Sequence, residues 1–203
     1  MTSLARWKSA WQELGASDPD EDLFHRLVAC YSEPHRKYHT MQHLDECFAH
    51  FERARSIAER PGEVELAIWF HDAIYRTSRK DNEERSAEWA RDSALSGGLS
   101  YDQAERIFSL VMITKHNAVP FGRDAEVLVD VDLAILGSDP VRFDEYERQI
   151  REEYSWVPGP LYRRERRRIL REFASRPTIY CTAYFRASHE GQARENIARS
   201  LAR

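Results

Sequence analysis

Apolar residues recur every three or four positions along most of the chain, which is the period of helices that bury one face. The first segment shows this pattern at Leu4, Trp7 and Trp11, with Ser3 before it as a candidate N-cap. No segment alternates between apolar and polar residues as a half-buried strand would, and only 177–185 is ambiguous. The pattern therefore predicts an all-α bundle of about nine to ten helices.

Capping residues and helix breakers divide this pattern into segments. Ser100 followed by Gln103 is a capping box, and Asp81 followed by Glu84 is the aspartate version of that motif. Further helix starts are predicted at Asp18-Pro19, Thr40, Asp124, Asp139-Pro140 and about Gln192. Helix ends are predicted at Gly15, Pro61-Gly62, Gly97-Gly98, Gly137 and Pro177, with a turn at 157–160.

The stretch from Leu66 to Tyr75 is apolar on nearly every side except at the adjacent pair His71-Asp72. A helix of this kind, expected from about Glu63 to Tyr75, belongs inside the bundle. An imidazole and a carboxylate cost free energy there unless they are paired or bound, and together they offer two ligands to a metal ion. Taken alone, the pair is more simply explained as a helix end capped against solvent.

Composition limits the class of protein. The chain has 203 residues, 42% of them apolar, and a formal net charge of -4, which fits one domain over 1–203. This balance gives no electrostatic argument for nucleic acid or an anionic membrane as a partner. No signal-peptide core and no apolar run of roughly 18 residues is present, as a membrane span would need. Three widely spaced cysteines without a CxxC motif are typical of reduced thiols in a cytoplasmic protein.

Several other features have simple explanations. Glu165 interrupts the arginine run 163–168, so we expect a solvated helix face from which one arginine reaches a phosphate. Trp7 and Trp11 are expected in the core or at a dimer contact, and a homodimer stays open. Four histidines are expected at the surface: His25, His35, His50 and His189.

Four predicted helices each place histidine or aspartate among apolar neighbours, and facing helices commonly direct such side chains into one internal site. The residues are His39 and His43, the pair His71-Asp72, His116, and Asp130 or Asp132. Asp130 and Asp132 lie about 200° apart on a helix, so they do not easily bind one ion together. Asp132 is the preferred ligand, because it lies on the more apolar side of its helix.

The order of these residues resembles that of the HD-domain superfamily of metal-dependent phosphohydrolases. More narrowly, the chain resembles a bacterial subgroup of predicted HD phosphohydrolases of this size. The matching segments span about the middle half of the chain. They are Tyr38-His39-Thr40-Met41-Gln42-His43, Trp69-Phe70-His71-Asp72-Ala73-Ile74-Tyr75, Asp81-Asn82-Glu83-Glu84-Arg85-Ser86-Ala87 and Asp130-Val131-Asp132-Leu133.

The resemblance implies an HD-type helical bundle, with a metal-site core at about 38–137 and C-terminal helices at 140–202 packed on it. It also implies one divalent ion, which is Mn, Co, Ni, Fe, Zn or Mg. Its ligands would be His43, His71, Asp72 and Asp132. Two-metal members carry further histidines, for which His116 is one candidate here. Asn82-Glu83-Glu84 stands where another would be expected, which argues against a second ion unless a carboxylate takes the place of the histidine.

The implied chemistry is hydrolysis by metal-activated water. Glu83 or Glu84 is a candidate to orient or deprotonate that water, and His39, Lys115 and His116 are candidates to bind the phosphate. The predicted substrate is a small phosphorylated molecule, with nucleotides as the leading class. Phosphomonoesterase, phosphodiesterase and pyrophosphohydrolase activities all stay open. The alternatives are an HD-type di-iron oxygenase and a non-catalytic regulatory module that binds a nucleotide or RNA.

Overall fold

The computed structural model describes residues 2–16 and 20–203, and this part of the chain contains helices, turns and loops but no strand. The predicted all-α class is confirmed, and the ambiguous segment 177–185 leads into a short helix. The eleven α-helices of the described residues are α1 Leu4–Glu13, α2 Glu21–Tyr31, α3 Met41–Ala54, α4 Pro61–Phe70, α5 Asn82–Ser96, α6 Tyr101–Ile113, α7 Arg123–Asp132, α8 Pro140–Glu153, α9 Gly159–Ser175, α10 Ala183–Ser188 and α11 Glu190–Leu201. Short 3-10 turns follow α3 at Arg55–Ile57 and α7 at Leu133–Gly137.

Most of the predicted caps are present. Ser3, Thr40 and Asp139 each accept a hydrogen bond from the first turn of the helix that they precede. Ser100 and Gln103 form the predicted capping box of α6. The predicted start Asp18-Pro19 lies outside the described residues, and Asp20 caps α2.

The aspartate capping box predicted at the start of α5 is wrong. Asp81 occupies the N-cap position, but its side chain makes no capping hydrogen bond. Its two carboxylate oxygens instead accept from the Arg79 guanidinium, at 2.8 Å each. Glu84 pairs with Lys115 and does not reach back to the cap. Two nearby cations thus compete successfully with the helix terminus for these carboxylates.

Helix α4 lies inside the bundle as predicted, and every residue from Gly62 to Phe70 is buried. Its predicted extension to Tyr75 is wrong, because the helix ends at Phe70. The buried Arg36 guanidinium donates to the carbonyl oxygens of Asp72, at 2.6 Å, and Ala73, at 2.9 Å. In a continuing helix these carbonyl oxygens would accept hydrogen bonds from backbone N–H groups, but here they accept from a side chain. His71-Asp72 therefore lies in the turn that follows α4.

Aromatic side chains from α1, α2, α3 and α5 pack against the aromatic residues of α4. The indoles of Trp7 and Trp69 meet edge to face with centroids 5.4 Å apart, and Trp7 and Trp11 do so at 5.3 Å. Both N-terminal tryptophans are buried, which places them in the core of this chain. Such pairs add about 0.5–1.5 kcal/mol each beyond the area they bury.

Gly97, just after α5, supports the Trp11 ring by close approach. A Cβ at this position would lie 2.5 Å from Trp11 Cζ3. Gly97→Ala is therefore expected to lower the free energy of unfolding by about 1–3 kcal/mol, measured by urea denaturation. Gly191→Ala is the control, because its Cβ would meet nothing within 4 Å. Equal stability of the two variants would contradict the close packing at Trp11.

The C-terminal helices attach to the rest of the chain through buried polar groups. Asn196 of α11 donates to the carbonyl oxygens of Leu136, at 2.9 Å, and Ser138, at 2.8 Å. Tyr180, in the linker before α10, donates to the Leu133 carbonyl at 3.1 Å. In the described ranges, no helix combines the length and apolarity needed to cross a bilayer.

Candidate metal centre

Three helices bring two imidazoles and two carboxylates to one point. His43 lies in the first turn of α3, His71-Asp72 lies in the turn after α4, and Asp132 is the last residue of α7. The Nε2 atoms of His43 and His71 are 3.0 Å apart. His43 Nε2 lies 3.5 Å from Asp72 Oδ2 and 3.4 Å from Asp132 Oδ1. His71 Nε2 lies 3.1 Å and 3.6 Å from the same two oxygens.

These spacings fit a single divalent ion. Two ligands at about 2.1 Å from one ion, in tetrahedral or octahedral arrangement, lie roughly 3.0–3.4 Å from each other. His71 Nδ1 donates to the Ile68 carbonyl oxygen at 2.8 Å, so in the neutral form of the ring Nε2, which faces the group, is the unprotonated nitrogen. A second hydrogen bond of this kind is the usual device that orients a metal-binding histidine.

The contacts of the two aspartates of α7 differ, and they favour Asp132 over Asp130 as the candidate ligand. Asp130 is fully buried, and its carboxylate accepts from Cys181 N, Thr182 N and Thr182 Oγ1, at 2.7 Å each. It faces the linker before α10. Asp132 faces the two histidines, as the sequence favoured. Because the two positions are rotated by about 200° about the helix axis, the two carboxylates contact different parts of the chain.

Cys47 belongs to the same group, which sequence reasoning missed. Its Sγ lies 3.7 Å from both ring nitrogens of His43, one helical turn earlier. His43, Cys47, His71 and Asp132 each offer a ligand atom within 4.8 Å of the others. Only its spacing of four residues from His43 could have pointed to it, because no second cysteine lies nearby in the sequence.

The histidines and aspartates of this group shift one another's pKa values. Burial acts to raise the pKa of the Asp72 carboxyl, but the charges of His71 and His39 and hydrogen bonds from the histidines hold it well below its usual range. Burial acts to lower the pKa of His71, and the carboxylate of Asp72 more than offsets this effect. The site thus keeps two carboxylates ionised close to two buried imidazoles. A cation shared between them would relieve the desolvation of both carboxylates.

Comparisons with known proteins add no relative. No family model, curated protein or solved structure matches the chain. The resemblance to the HD-domain superfamily therefore stays a prediction, which rests on the residues and their arrangement.

The other predicted site residues differ in whether they contact the candidate metal ligands. His116 Nε2 lies 2.9 Å from Asp132 Oδ2, and its backbone adopts φ of 54°, an uncommon conformation for a non-glycine residue. Lys115 pairs with Glu84, so neither charge is free in this arrangement. Burial raises the pKa of the Glu83 carboxyl, and this residue lines the cleft beside Asp72. Glu83 is therefore the better placed of the two predicted bases.

A cleft of about 690 Å³ opens onto the metal centre. Its histidines and charged residues are His39, Asp72, Glu83, Lys115, His116 and Asp132, together with Glu165 and Arg166. The remaining wall is largely aromatic and aliphatic. It includes Tyr38, Tyr75, Leu133, Ile135, Leu136, Tyr146, Ile150, Tyr154, Trp156, Val157, Leu161, Tyr162, Ile169 and Phe173. The volume is within the range of known small-molecule pockets, and the candidate metal ligands Asp72 and Asp132 line the cleft.

The arginine run in α9 is mostly solvated, as predicted, and one member reaches the cleft. Arg163 and Arg164 are exposed. Arg166 packs over the Tyr146 ring at 5.0 Å and donates through Nε to Glu147 at 2.9 Å. Because Glu147 already pairs with it, Arg166 carries less free charge toward a ligand than the run suggests.

Of the four histidines predicted at the surface, only His25 is exposed, and His35, His50 and His189 are buried or partly buried. His189 is 9% exposed, and its ring meets that of His50 with centroids 5.0 Å apart. His50 Nδ1 is buried without a hydrogen-bond partner among the described residues. Burial, together with the charges of His189 and Arg53, lowers the pKa of His50 to about 4. Protonation of His50 therefore destabilises the folded state.

This pair predicts a loss of stability in mild acid. Between pH 6.5 and 4 the unfolded chain takes up a proton at His50 that the folded chain refuses, so the free energy of unfolding falls as the pH falls. The loss begins near the unfolded pKa of about 6.5 and is complete below about 4. Urea denaturation between pH 6.5 and 5, above most carboxylate titrations, measures it. His50→Gln is expected to flatten this slope, and an unchanged slope would contradict the assignment.

Proposed function

We propose that the protein is a metal-dependent phosphohydrolase that acts on a small phosphorylated molecule, with nucleotides as the leading class. The observation that carries the proposal is the convergence of His43, His71, Asp72 and Asp132 at the edge of a cleft of about 690 Å³. The resemblance of the same residues, in the same order, to the HD-domain superfamily supports it independently of the geometry.

The four converging side chains would hold the ion, and Cys47 lies close enough to influence which metal is preferred. When bound, a divalent ion lowers the pKa of a coordinated water and neutralises charge on phosphate oxygens. Thiolate and imidazole ligands favour zinc and other late transition metals over magnesium. The donor set of this chain therefore favours the softer members of the predicted metals.

Side chains of the cleft supply the rest of the chemistry. Glu83, whose pKa burial raises, is placed to accept a proton from the attacking water. His39 and His116 line the same cleft and offer hydrogen bonds to the phosphoryl oxygens, while the Lys115–Glu84 pair lies beside them. The aromatic wall excludes bulk water and offers surfaces on which a flat base stacks.

The test begins with metal analysis of protein purified without chelator, where we expect about one ion per chain. A hydrolysis screen with Mn²⁺, Co²⁺ and Ni²⁺ then compares nucleoside monophosphates, sugar phosphates, cyclic nucleotides and nucleoside triphosphates. These substrates separate the monoesterase, diesterase and pyrophosphohydrolase activities. Protein that binds no metal and is inactive on the whole panel would contradict the proposal.

The two alternatives give different results in the same experiments. A di-iron oxygenase would show two irons per chain, with Mössbauer or EPR signals. A regulatory module would bind a nucleotide or RNA equally well after His71→Ala or Asp72→Ala.

A further inference from the structure

Glu153, the last residue of α8, is a buried carboxylate that the proposed reaction does not use. Only 5% of the residue is exposed. Its Oε1 accepts from the backbone N–H groups of Lys37, Tyr38 and His39, at 2.7, 2.8 and 3.0 Å. Its Oε2 accepts from His39 Nδ1 at 2.7 Å and from Tyr75 Oη at 2.9 Å. Five donors thus converge on one carboxylate, which has about four lone-pair sites.

The two oxygens of Glu153 have separable roles. The three backbone hydrogen bonds to Oε1 fasten the loop before α3 to α8, and a neutral carbonyl oxygen would serve them as well. The contacts of Oε2 require an acceptor, which only the ionised carboxylate provides on both sides at once. Burial raises the pKa of Glu153, but His39 and the backbone N–H groups outweigh burial and lower it to about 2. The contact with His39 thus helps to keep the Glu153 carboxylate ionised.

The His39 ring has little freedom to turn. It stacks on the Tyr75 ring with centroids 4.1 Å apart and an angle of 28° between the planes. The Tyr38 ring meets it edge-on at 4.9 Å. Since Nδ1 is engaged by Glu153, Nε2 is the nitrogen that remains for a ligand. His39 lines the cleft together with Asp72, and 18% of its side chain is exposed.

We propose that Glu153 is a positioning residue for His39. By accepting Nδ1–H, it fixes the imidazole so that Nε2 faces the cleft, where the ring protonated at both nitrogens donates Nε2–H to a phosphoryl oxygen of the substrate. The proposal rests on the proposed phosphohydrolase function, because it needs a phosphoryl group at the metal centre. Glu153 itself touches no substrate and acts through His39.

Glu153→Gln tests the proposal with little change of shape. The amide oxygen can still accept from the backbone, but its NH₂ group then faces His39 Nδ1, which must give up its proton. The ring then keeps Nε2–H but loses its positive charge, and a hydrogen bond between two charged groups is stronger than one with a neutral donor by about 10-fold in binding. We expect Zn²⁺-loaded protein to bind inorganic phosphate about 10-fold more weakly after this change, measured by titration calorimetry.

A double-mutant cycle separates positioning from simple stabilisation. In the His39→Ala background, Glu153→Gln is expected to have no further effect on phosphate affinity. The same loss in both backgrounds, or no loss in either, would overturn the proposal. Glu63→Gln is the matched control, because Glu63 is another buried carboxylate whose partner is Arg106. It is expected to leave phosphate affinity unchanged.

A spectroscopic readout on the wild-type protein keeps the proposal testable if Glu153→Gln does not fold. In ¹⁵N spectra assigned by loss of a signal in His39→Ala, His39 is expected to show a protonated Nδ1. Phosphate is expected to shift its Nε2 signal in Zn²⁺-loaded protein. An unprotonated Nδ1, or an Nε2 signal that phosphate leaves in place, would overturn the proposal. Protein that binds no metal at all would instead overturn the proposed function.

Discussion

Asp132→Asn is expected to lose the bound metal ion. The change replaces a charged oxygen that lies 3.4 Å from His43 Nε2 and 3.6 Å from His71 Nε2 with a neutral amide. Because removal of even an outer hydrogen-bond partner costs about 10–100-fold in metal affinity, loss of a ligand should cost at least about 100-fold. Metal content should fall from about one ion per chain to near zero, as measured after dialysis.

Thermal unfolding gives a second readout of the same prediction. Metal at about 100 times its Kd stabilises the folded state by about 2.7 kcal/mol, so it should raise the Tm of the wild type by several degrees. The shift should be absent in Asp132→Asn. Asp130→Asn, the same chemical change two residues earlier, is the control and should keep the ion. A variant at position 132 that retains one ion per chain would show that this carboxylate is not a ligand.

Most of the fold could be predicted because it depends on local signals. Residues that are neighbours in the sequence are enough to predict the capping box of Ser100 and Gln103 and the buried helix α4. The structure contains both. The convergence of His43, His71-Asp72 and Asp132 also followed from the sequence, because bundles direct polar residues of apolar helices inward. The ligand roles of these residues stay a prediction that the metal analysis addresses.

The features that sequence reasoning missed depend on which of several partners a polar group contacts, and several of these partners are distant in the chain. Helix α4 ends early because Arg36 binds two carbonyl oxygens beyond it. The carboxylate of Asp81 binds Arg79 and leaves the start of α5 uncapped. Glu153 reaches a loop more than a hundred positions earlier in the chain, so no local pattern shows it. Such competition between partners is decided by packing, which the order of residues does not display.

Asp130→Ala is expected to cause a large loss of stability without loss of the metal ligands. It would leave the backbone N–H groups of Cys181 and Thr182, which now donate to Asp130 at 2.7 Å each, without an acceptor. Each buried donor left unsatisfied costs about 1–3 kcal/mol. We expect the free energy of unfolding of metal-free protein to fall by about 3–5 kcal/mol, measured by urea denaturation.

The neighbouring aspartate should respond differently, although it is only two residues away. Asp132 shares its carboxylate with histidine nitrogens, and 16% of its side chain is exposed. Its replacement by asparagine should destabilise metal-free protein less than Asp130→Ala does, because the amide oxygen can still accept from His116. One helix would then carry a structural and a metal-binding aspartate, distinguished only by rotation about its axis. Equal losses of stability at the two positions would mean that Asp132 also holds the fold together, and that its carboxylate is not reserved for an ion.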